Sequence, residues 1–312
     1  LGPELAFVRE GAANLVEALA RACAKFNAQA YGAVHWLLKP IVGKRNLALM
    51  REVSWITGFP DRAFLVDYVL GMNTLFWADP APRFVPRTLE PLRTREEFWN
   101  DIEVHNMSIL SRVRSTGDPE LDHASWEKTA AEFADGSLQG PYFSLKEVEG
   151  LHGQVRLLPR FPIWEQHGGS EAPTCRNIDN GLAGEQNLFC GSFWTNRPAD
   201  IDLFIGLMRH VLALFPMDAL LGFTSDFKSA YRQCSANPHH AKGWVLVVWS
   251  CVHQCQVFGV AGAQLFGCSL APVNFCRIPD WCVFVASRLF FLAMVHCIDD
   301  VMTVESLSLI HI

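Results

Sequence analysis

The chain has 312 residues and a formal net charge of −6; half of its residues are hydrophobic and 19% are charged. This composition excludes an intrinsically disordered chain and provides enough apolar residues for one large domain or two smaller ones. The negative charge counts against a nucleic-acid-binding protein, because phosphate binding rests on Lys and Arg, but a local basic groove is compatible with an acidic protein.

The first part of the chain, residues 1–115, is predicted to be a mainly helical region, and its sequence indicates no role. Apolar residues there recur every three or four positions, the period of an amphipathic helix. Helices are predicted over residues 5–19, 46–56, 61–77 and 94–115. Asp61 is expected to cap the third of them, and the proline-rich segment 79–93 predicts a linker.

After residue 116 the pattern changes from one helix, around residues 126–134, to strands. Short runs of apolar and β-branched residues bounded by turn residues predict strands over 155–158, 161–164, 220–225 and 244–248. The apolar run 283–298 is ambiguous by periodicity alone and is compatible with a helix followed by a short strand that ends at Asp299. The chain is therefore expected to belong to the α+β class.

The cysteines predict a reducing environment. Of the ten, all but Cys23 lie in the second half of the chain, scattered through apolar runs rather than spaced as a disulfide framework. We therefore expect free thiols in an intracellular compartment, cytoplasmic or nuclear. The tightest group, Cys251, His253 and Cys255, lacks the second pair of ligands that is typical of a zinc site.

Two long apolar runs raise the question of a membrane span. The run 244–263 contains His253 and two glutamines, and the run 281–298 contains Arg288 and a histidine. A charged or polar side chain in the middle of a span is costly, and neither run offers about 20 uninterrupted apolar residues. Buried strands and helices explain both runs better, so no membrane association is predicted.

Three carboxylates stand where apolar runs end. Asp226 follows one such run, and the pair Asp299 and Asp300 follows another. A charge at the exit of a buried strand is costly without a partner, and converging carboxylates repel one another unless cations lie among them. Oxygen ligands favour Mg²⁺, and two such ions suit phosphoryl transfer. The alternative is a surface turn at the Asp pair and a helix N-cap at Asp226.

The segments around these aspartates resemble, in the same order, the palm motifs of retroelement reverse transcriptases. Residues 226–233, DFKSAYRQ, resemble the first motif, D-x-x-x-A-[FY]. Residues 264–277, QLFGCSLAPVNFCR, are similar to the second, L-P-F-G-x-x-x-A-P-x-x-F-x-R, and residues 297–300, CIDD, to the third, [YF]-x-D-D. Upstream, residues 176–187 resemble the fingers motif R-x-I-D…N. The resemblance covers about residues 120–305.

The resemblance implies a right-hand polymerase fold within residues 116–312, with an antiparallel palm sheet backed by helices. Its fingers would span about 120–222 and 236–262, and its palm about 223–235 and 263–305. In the family, a lysine-bearing motif, a primer-grip hairpin and a thumb follow the third motif. Only twelve residues follow Asp300 here, so the thumb is expected to be absent and the chain to be a fragment.

The resemblance also implies the residues of a two-metal site. Asp226, Asp299 and Asp300 would be the catalytic residues and would hold two Mg²⁺ ions, with Mn²⁺ as an alternative. The backbone carbonyl of Phe227 would complete one coordination shell.

Further roles implied by the resemblance concern the nucleotide and the primer. Arg176 would clamp the triphosphate, and Tyr231 would lie under the sugar, where its ring excludes a 2′-hydroxyl group. Phe266 and Gly267 would shape the floor beneath the templating base. Cys297 stands where the family has an aromatic residue that contacts the primer end.

The activity implied is RNA-directed DNA polymerisation: transfer of nucleotides from dNTPs to a DNA primer on an RNA or DNA template. No protein partner is predictable. Two alternatives remain. One is a catalytically silent, nucleic-acid-binding remnant of a mobile element. The other is an RNA-dependent RNA polymerase, which Tyr231 disfavours, because such enzymes usually carry a second carboxylate at that position.

Overall fold

The computed structural model describes residues 2–166, 172–196 and 198–307, and these residues form an α+β fold, as predicted. Their α-helices are α1 (Gly2–Ala33), α2 (Lys39–Val42), α3 (Leu47–Thr57), α4 (Phe64–Leu70), α5 (Ile102–Arg112), α6 (Pro119–Ala134), α7 (Leu145–His152), α8 (Ile201–Leu214), α9 (Pro238–Ala241) and α10 (Ala271–Phe290). Their strands are β1 (Phe76–Trp77), β2 (Val85–Leu89), β3 (Leu138–Tyr142), β4 (Leu157–Glu165), β5 (Thr174–Asp179), β6 (Cys190–Thr195), β7 (Leu220–Asp226), β8 (Val245–Ser250), β9 (Cys255–Ala261), β10 (Ala293–Cys297) and β11 (Asp300–Ser306).

The helix predicted over 46–56 has clear start and stop signals. The Asn46 side chain accepts a hydrogen bond from the Leu49 amide (3.1 Å), which satisfies one of the free donors at the start of α3. Gly58, at φ 72°, ends the helix in the left-handed conformation that glycine tolerates best. The observed helix, Leu47–Thr57, confirms the prediction within one residue at each end.

The helix predicted over 61–77 is wrong in its extent, because α4 is only seven residues long. Gly71, at φ 93°, stops it, and β1 begins soon afterwards. Asp61 does accept a hydrogen bond from the Phe64 amide (3.1 Å), but Ala63 occupies the cap position. The Asp61 carboxylate instead forms an ion pair with Arg277, which sequence spacing does not reveal.

The predicted linker over 79–93 contains a strand. β2 pairs with β6 in antiparallel fashion, and β1 pairs with the same strand in parallel. All five residues of β2 are exposed, which is typical of an edge strand, where Pro86 costs little because no inner ladder needs its amide. The mainly helical first part of the chain therefore shares a three-stranded sheet with the part that follows.

A five-stranded sheet forms the middle of the molecule, in the order β3-β9-β8-β4-β5. Its central strands β8 and β9 form a hairpin and are almost entirely buried, and α6 packs against the sheet. The group Cys251, His253 and Cys255 lies at the turn of this hairpin. The His253 ring contacts the rings of Trp126 (5.5 Å) and Phe143 (5.0 Å), so it has a packing role there.

The C-terminal sheet is antiparallel and has the order β10-β11-β7. α10 packs against β10, and α8 packs against both β10 and β11. The prediction of a helix followed by a short strand over 283–298 is confirmed, since α10 ends at Phe290 and β10 ends at Cys297. In the part of the chain that the structure describes, no helix has the length and apolar character needed to cross a membrane.

Buried ion pairs connect the N-terminal helices to the C-terminal sheet and its helix. The Arg277 side chain on α10 is 1% exposed and donates to the carboxylates of Asp61 (Nε–Oδ2 2.8 Å) and Asp67 (Nη2–Oδ2 2.8 Å). Arg9 on α1 donates through two nitrogens to Glu305 on β11, at 2.9 Å each. Desolvation raises the pKa of Asp67, although its bond to Arg277 opposes that shift.

We expect Arg277→Ala to lower the free energy of unfolding by about 3–5 kcal/mol, because it leaves the buried carboxylate of Asp61 unpaired. Arg51→Ala is the control: Arg51 pairs with Glu52 but is 71% exposed, and its loss should cost less than about 1 kcal/mol. Urea unfolding of both variants measures the difference. Equal losses would contradict a structural role for the Arg277 pair.

Candidate active site

The three predicted aspartates lie at one end of the C-terminal sheet. Asp226, the last residue of β7, is the direct cross-strand partner of Asp300, the first residue of β11. Directly opposed residues on antiparallel strands project from the same face of the sheet. Asp299 lies in the two-residue turn between β10 and β11, and its carbonyl accepts a hydrogen bond from the Phe227 amide (2.9 Å). The structure thus brings together residues that are more than seventy positions apart.

The turn that presents Asp299 has an unusual backbone. Ile298, the other turn residue, has φ 55°, in the left-handed region that β-branched residues rarely adopt. Two-residue hairpin turns require such positive φ values, because their twist then matches that of the flanking strands. Cys297 and Asp300, the residues that flank the turn on its two sides, pair with each other and so close it. The position of Asp299 is therefore set by the hairpin and not by side-chain contacts.

The carboxylates of the three aspartates have no protein partner among the described residues. Asp226 and Asp300 are exposed and Asp299 is half-buried, and none of the three side chains forms a hydrogen bond or an ion pair with a described group. Asp226 and Asp300 project from the same face of the sheet, so their negative charges repel each other, and a bound cation would relieve that repulsion. Their oxygen atoms are the ligands that Mg²⁺ prefers.

The same residues do not form a complete metal cage. Within residues 2–166, 172–196 and 198–307, no group of three or more His, Cys, Asp or Glu side chains is arranged to hold a metal ion. Mg²⁺ is usually bound through one or two carboxylates together with water and substrate phosphates. The opposed pair Asp226 and Asp300 therefore fits Mg²⁺ by the chemistry of its donors.

A second group of predicted residues meets beside this sheet end. The Tyr231 ring lies 4.7 Å from the Phe266 ring and 5.6 Å from the Phe275 ring, measured between centroids. The Arg176 guanidinium lies 5.9 Å from the centroid of the Phe266 ring. Burial raises the pKa of the Tyr231 hydroxyl, with smaller contributions from nearby acidic groups that include Asp299. The aromatic group and the aspartates are therefore neighbours.

Arg176, which the resemblance assigns to the triphosphate, has a surface partner. Its guanidinium pairs with Glu165 at 2.7 Å, and the two side chains are 48% and 38% exposed. An ion pair as exposed as this one contributes little free energy, so it is readily exchanged for a stronger anion. Half of the Phe266 side chain is exposed beside it. Arg176 and Phe266 are thus both accessible to a ligand from solvent.

Gly267 packs against the end of β5, the strand whose sequence resembles the start of the fingers motif. A Cβ atom on Gly267 would lie 1.7 Å from the Asp179 carbonyl oxygen, so only glycine fits. Asn187 donates to the Gly267 carbonyl (2.8 Å) and accepts from the Ser269 amide (2.9 Å). The sequence motif marks Asn187 but does not reveal that it clamps the 264–270 loop.

A buried ionic network lies behind this group, and the sequence did not reveal it. Arg160 pairs with Asp179 (2.6 Å) and Glu132 (2.6 Å), and Arg232 pairs with Glu132 (2.8 Å). Burial alone would raise the pKa of Asp179, but the charges of Arg160 and Arg232 outweigh it and lower that pKa. Because Arg232 lies six residues after Asp226, the network connects the segment after β7 to the five-stranded sheet.

Cys297, the predicted primer contact, is the last residue of β10 and is half-buried beside the aspartate turn.

Comparison with known proteins gives no match, either to a protein-family model or to a curated protein. Support for a function therefore comes from the residues themselves and from the way the fold assembles them.

We expect Gly267→Ala to destabilise the protein by about 1–3 kcal/mol, because the added methyl group overlaps the Asp179 carbonyl. Gly206→Ala is the matched control. Gly206 lies inside α8, and a methyl group added there would have nothing within 4 Å, so alanine should be neutral or stabilise by up to about 1 kcal/mol. Thermal unfolding of both variants tests this. Similar midpoints for the two would mean that the 264–270 loop is not closely packed.

Proposed function

We propose that this chain is the fingers and palm of an RNA-directed DNA polymerase. The observation that carries the proposal is the direct pairing of Asp226 with Asp300, with Asp299 in the adjoining turn. In this proposal the C-terminal sheet with α8 and α10 is the palm, and the five-stranded sheet with α6 belongs to the fingers. The order of the sequence motifs and their convergence at one site both support it.

The proposed reaction transfers a nucleotide from a dNTP to the 3′-hydroxyl of a primer paired with an RNA or DNA template. Two divalent ions would supply activation of the attacking hydroxyl and stabilisation of the leaving oxygen. Asp226 and Asp300 would hold these ions, together with Asp299 and the Phe227 carbonyl. The unpaired state of the three carboxylates supports this assignment, because nothing in the described protein competes for them.

The remaining residues would bind and orient the nucleotide. Arg176 would leave its exposed pair with Glu165 for the more highly charged triphosphate, as a charge-assisted clamp. Tyr231, held between Phe266 and Phe275, would present its ring to the sugar and exclude a 2′-hydroxyl by volume. Gly267 would let the backbone approach the templating base closely. The positions of these side chains beside the sheet end support their assignment to one substrate.

A second candidate function is nucleic-acid binding without catalysis. The observation that favours it is the absence, among the described residues, of a group of three acidic or metal-binding side chains arranged around one ion. Cys297 in the place of an aromatic primer contact points the same way. The two functions differ in whether Asp299 is needed for nucleotide incorporation.

We expect the wild-type chain to extend an oligo(dT) primer on poly(rA) with Mg²⁺ or Mn²⁺, and Asp299→Asn to reduce incorporation at least about 100-fold. Glu103→Gln is the control, since Glu103 is an exposed carboxylate of α5, which packs against β4 of the five-stranded sheet. The amount of labelled dTMP incorporated into the primer is measured for the wild-type chain and for both variants. Equal incorporation by Asp299→Asn and wild type would overturn the catalytic assignment, and no incorporation by wild type would favour binding alone.

A further inference from the structure

A large groove lies away from the aspartates, where the N-terminal region meets the segment that contains α9. Its volume is about 1010 Å³, and none of the candidate active-site residues lines it. Its walls come from the residues after α1, from β1, from the helical turn Glu96–Trp99, from the end of α7 and from α9. Most of these segments lie outside the motifs that carry the polymerase proposal.

The charge of the groove is opposite to that of the chain. Arg95 and Lys242 line it, and no Asp or Glu is among its lining residues, although the chain as a whole is acidic. Neither cation forms an ion pair with a described carboxylate, unlike the buried arginines Arg156, Arg160 and Arg277. Two unpaired cations in a groove without carboxylates create a local potential that attracts an anion.

Aromatic rings hold both cations in place. The Arg95 guanidinium lies over the Phe76 ring at 5.0 Å, and the Lys242 ammonium lies over the Trp99 ring at 5.1 Å. Trp36, on another wall of the groove, is 51% exposed. Cations interleaved with aromatic rings are typical of surfaces that bind single-stranded nucleic acid, because phosphates contact the cations and bases stack on the rings.

Two polar atoms in the wall lack a partner. The Gln139 Oε1 and His152 Nε2 atoms are buried and form no hydrogen bond with a described group. Desolvation lowers the pKa of His152, which keeps its imidazole neutral at physiological pH. Unpaired buried polar atoms are costly, so the wall of the groove holds two polar groups that the described residues leave without a partner.

We propose that this groove is a second nucleic-acid site that binds a single strand, with phosphates at Arg95 and Lys242 and bases against Trp36 and Trp99. The inference goes beyond the polymerase proposal, because it requires none of the three aspartates. An acidic peptide would satisfy the two cations but would leave the exposed ring of Trp36 unused, so this ring favours nucleic acid over a polyanionic protein segment.

The test is binding of fluorescent 12-nucleotide single strands, RNA and DNA, to the full chain, followed by fluorescence anisotropy at several salt concentrations. We expect the double variant R95A/K242A to weaken binding about tenfold and to reduce the slope of log affinity against log salt by about 1.4, or about 0.7 per phosphate contact. The matched control is K146A/R209A, which removes the same charges from exposed positions outside the groove and should change neither quantity.

Two further variants keep the test decisive. W36A removes an exposed ring without changing the charge and should also weaken binding about tenfold. The strand-binding measurement changes none of the three aspartates, whereas the dTMP incorporation assay changes Asp299, so failure of the polymerase proposal and failure of this one are distinguishable. Undiminished binding by R95A/K242A, or equal competition by a poly-glutamate peptide, would overturn the proposal.

Discussion

The antiparallel pairing of β7 with β11 is the constraint on which the rest of the candidate site depends. It runs over seven residue pairs, from Asp226 opposite Asp300 to Leu220 opposite Ser306. Because side chains alternate along a strand, a slip of one residue would turn Asp300 to the opposite face from Asp226. The helices α8 and α10 pack against this sheet and bury part of it, which fixes the register. The carboxylates need no contacts of their own to stay together.

Buried ion pairs then attach the other parts of the chain to this sheet. Arg277 on α10 pairs with Asp61 and Asp67 in the N-terminal region. Asp179 in the five-stranded sheet pairs with Arg160 and also with Arg232, which lies in the segment after Asp226. Breaking one partner of such a pair is costly, because the other charge stays buried. The buried arginines thus form ion pairs within the fold, whereas Arg95 and Lys242 line an open groove and form no ion pair with a described carboxylate.

Local signals in the sequence predict α3 and the strands that lead to the aspartates. The Asn46 cap and Gly58 delimit α3, and the apolar runs before Asp226 and Asp299 became β7 and β10. These features depend on residues within a few positions of one another. The α+β class followed from the same patterns, and the helices and sheets confirm it.

Most features that the sequence does not reveal depend on residues that are distant along the chain. β2 lies within the segment 79–93 that the sequence predicts to be a linker. Its pairing partner β6 lies about a hundred residues further on, so no local pattern indicates the strand. The second bond of Asp61, to Arg277, spans 216 positions, and no periodicity encodes it. The clamp by Asn187 and the cationic groove likewise arise only when the chain has folded. Roles implied by the motifs, such as those of Arg176 and Cys297, remain predictions.

Mn²⁺ binding measured by electron paramagnetic resonance is the most direct test of the proposed divalent-cation site at Asp226, Asp299 and Asp300, because it requires no activity. We expect the wild-type chain to bind Mn²⁺, and Asp226→Asn or Asp300→Asn to weaken this binding about tenfold or more, since each removes a charged oxygen ligand. Glu103→Gln, which changes an exposed carboxylate of α5, should bind Mn²⁺ as wild type does. Unchanged Mn²⁺ binding by both Asp226→Asn and Asp300→Asn would show that these residues do not hold the ion.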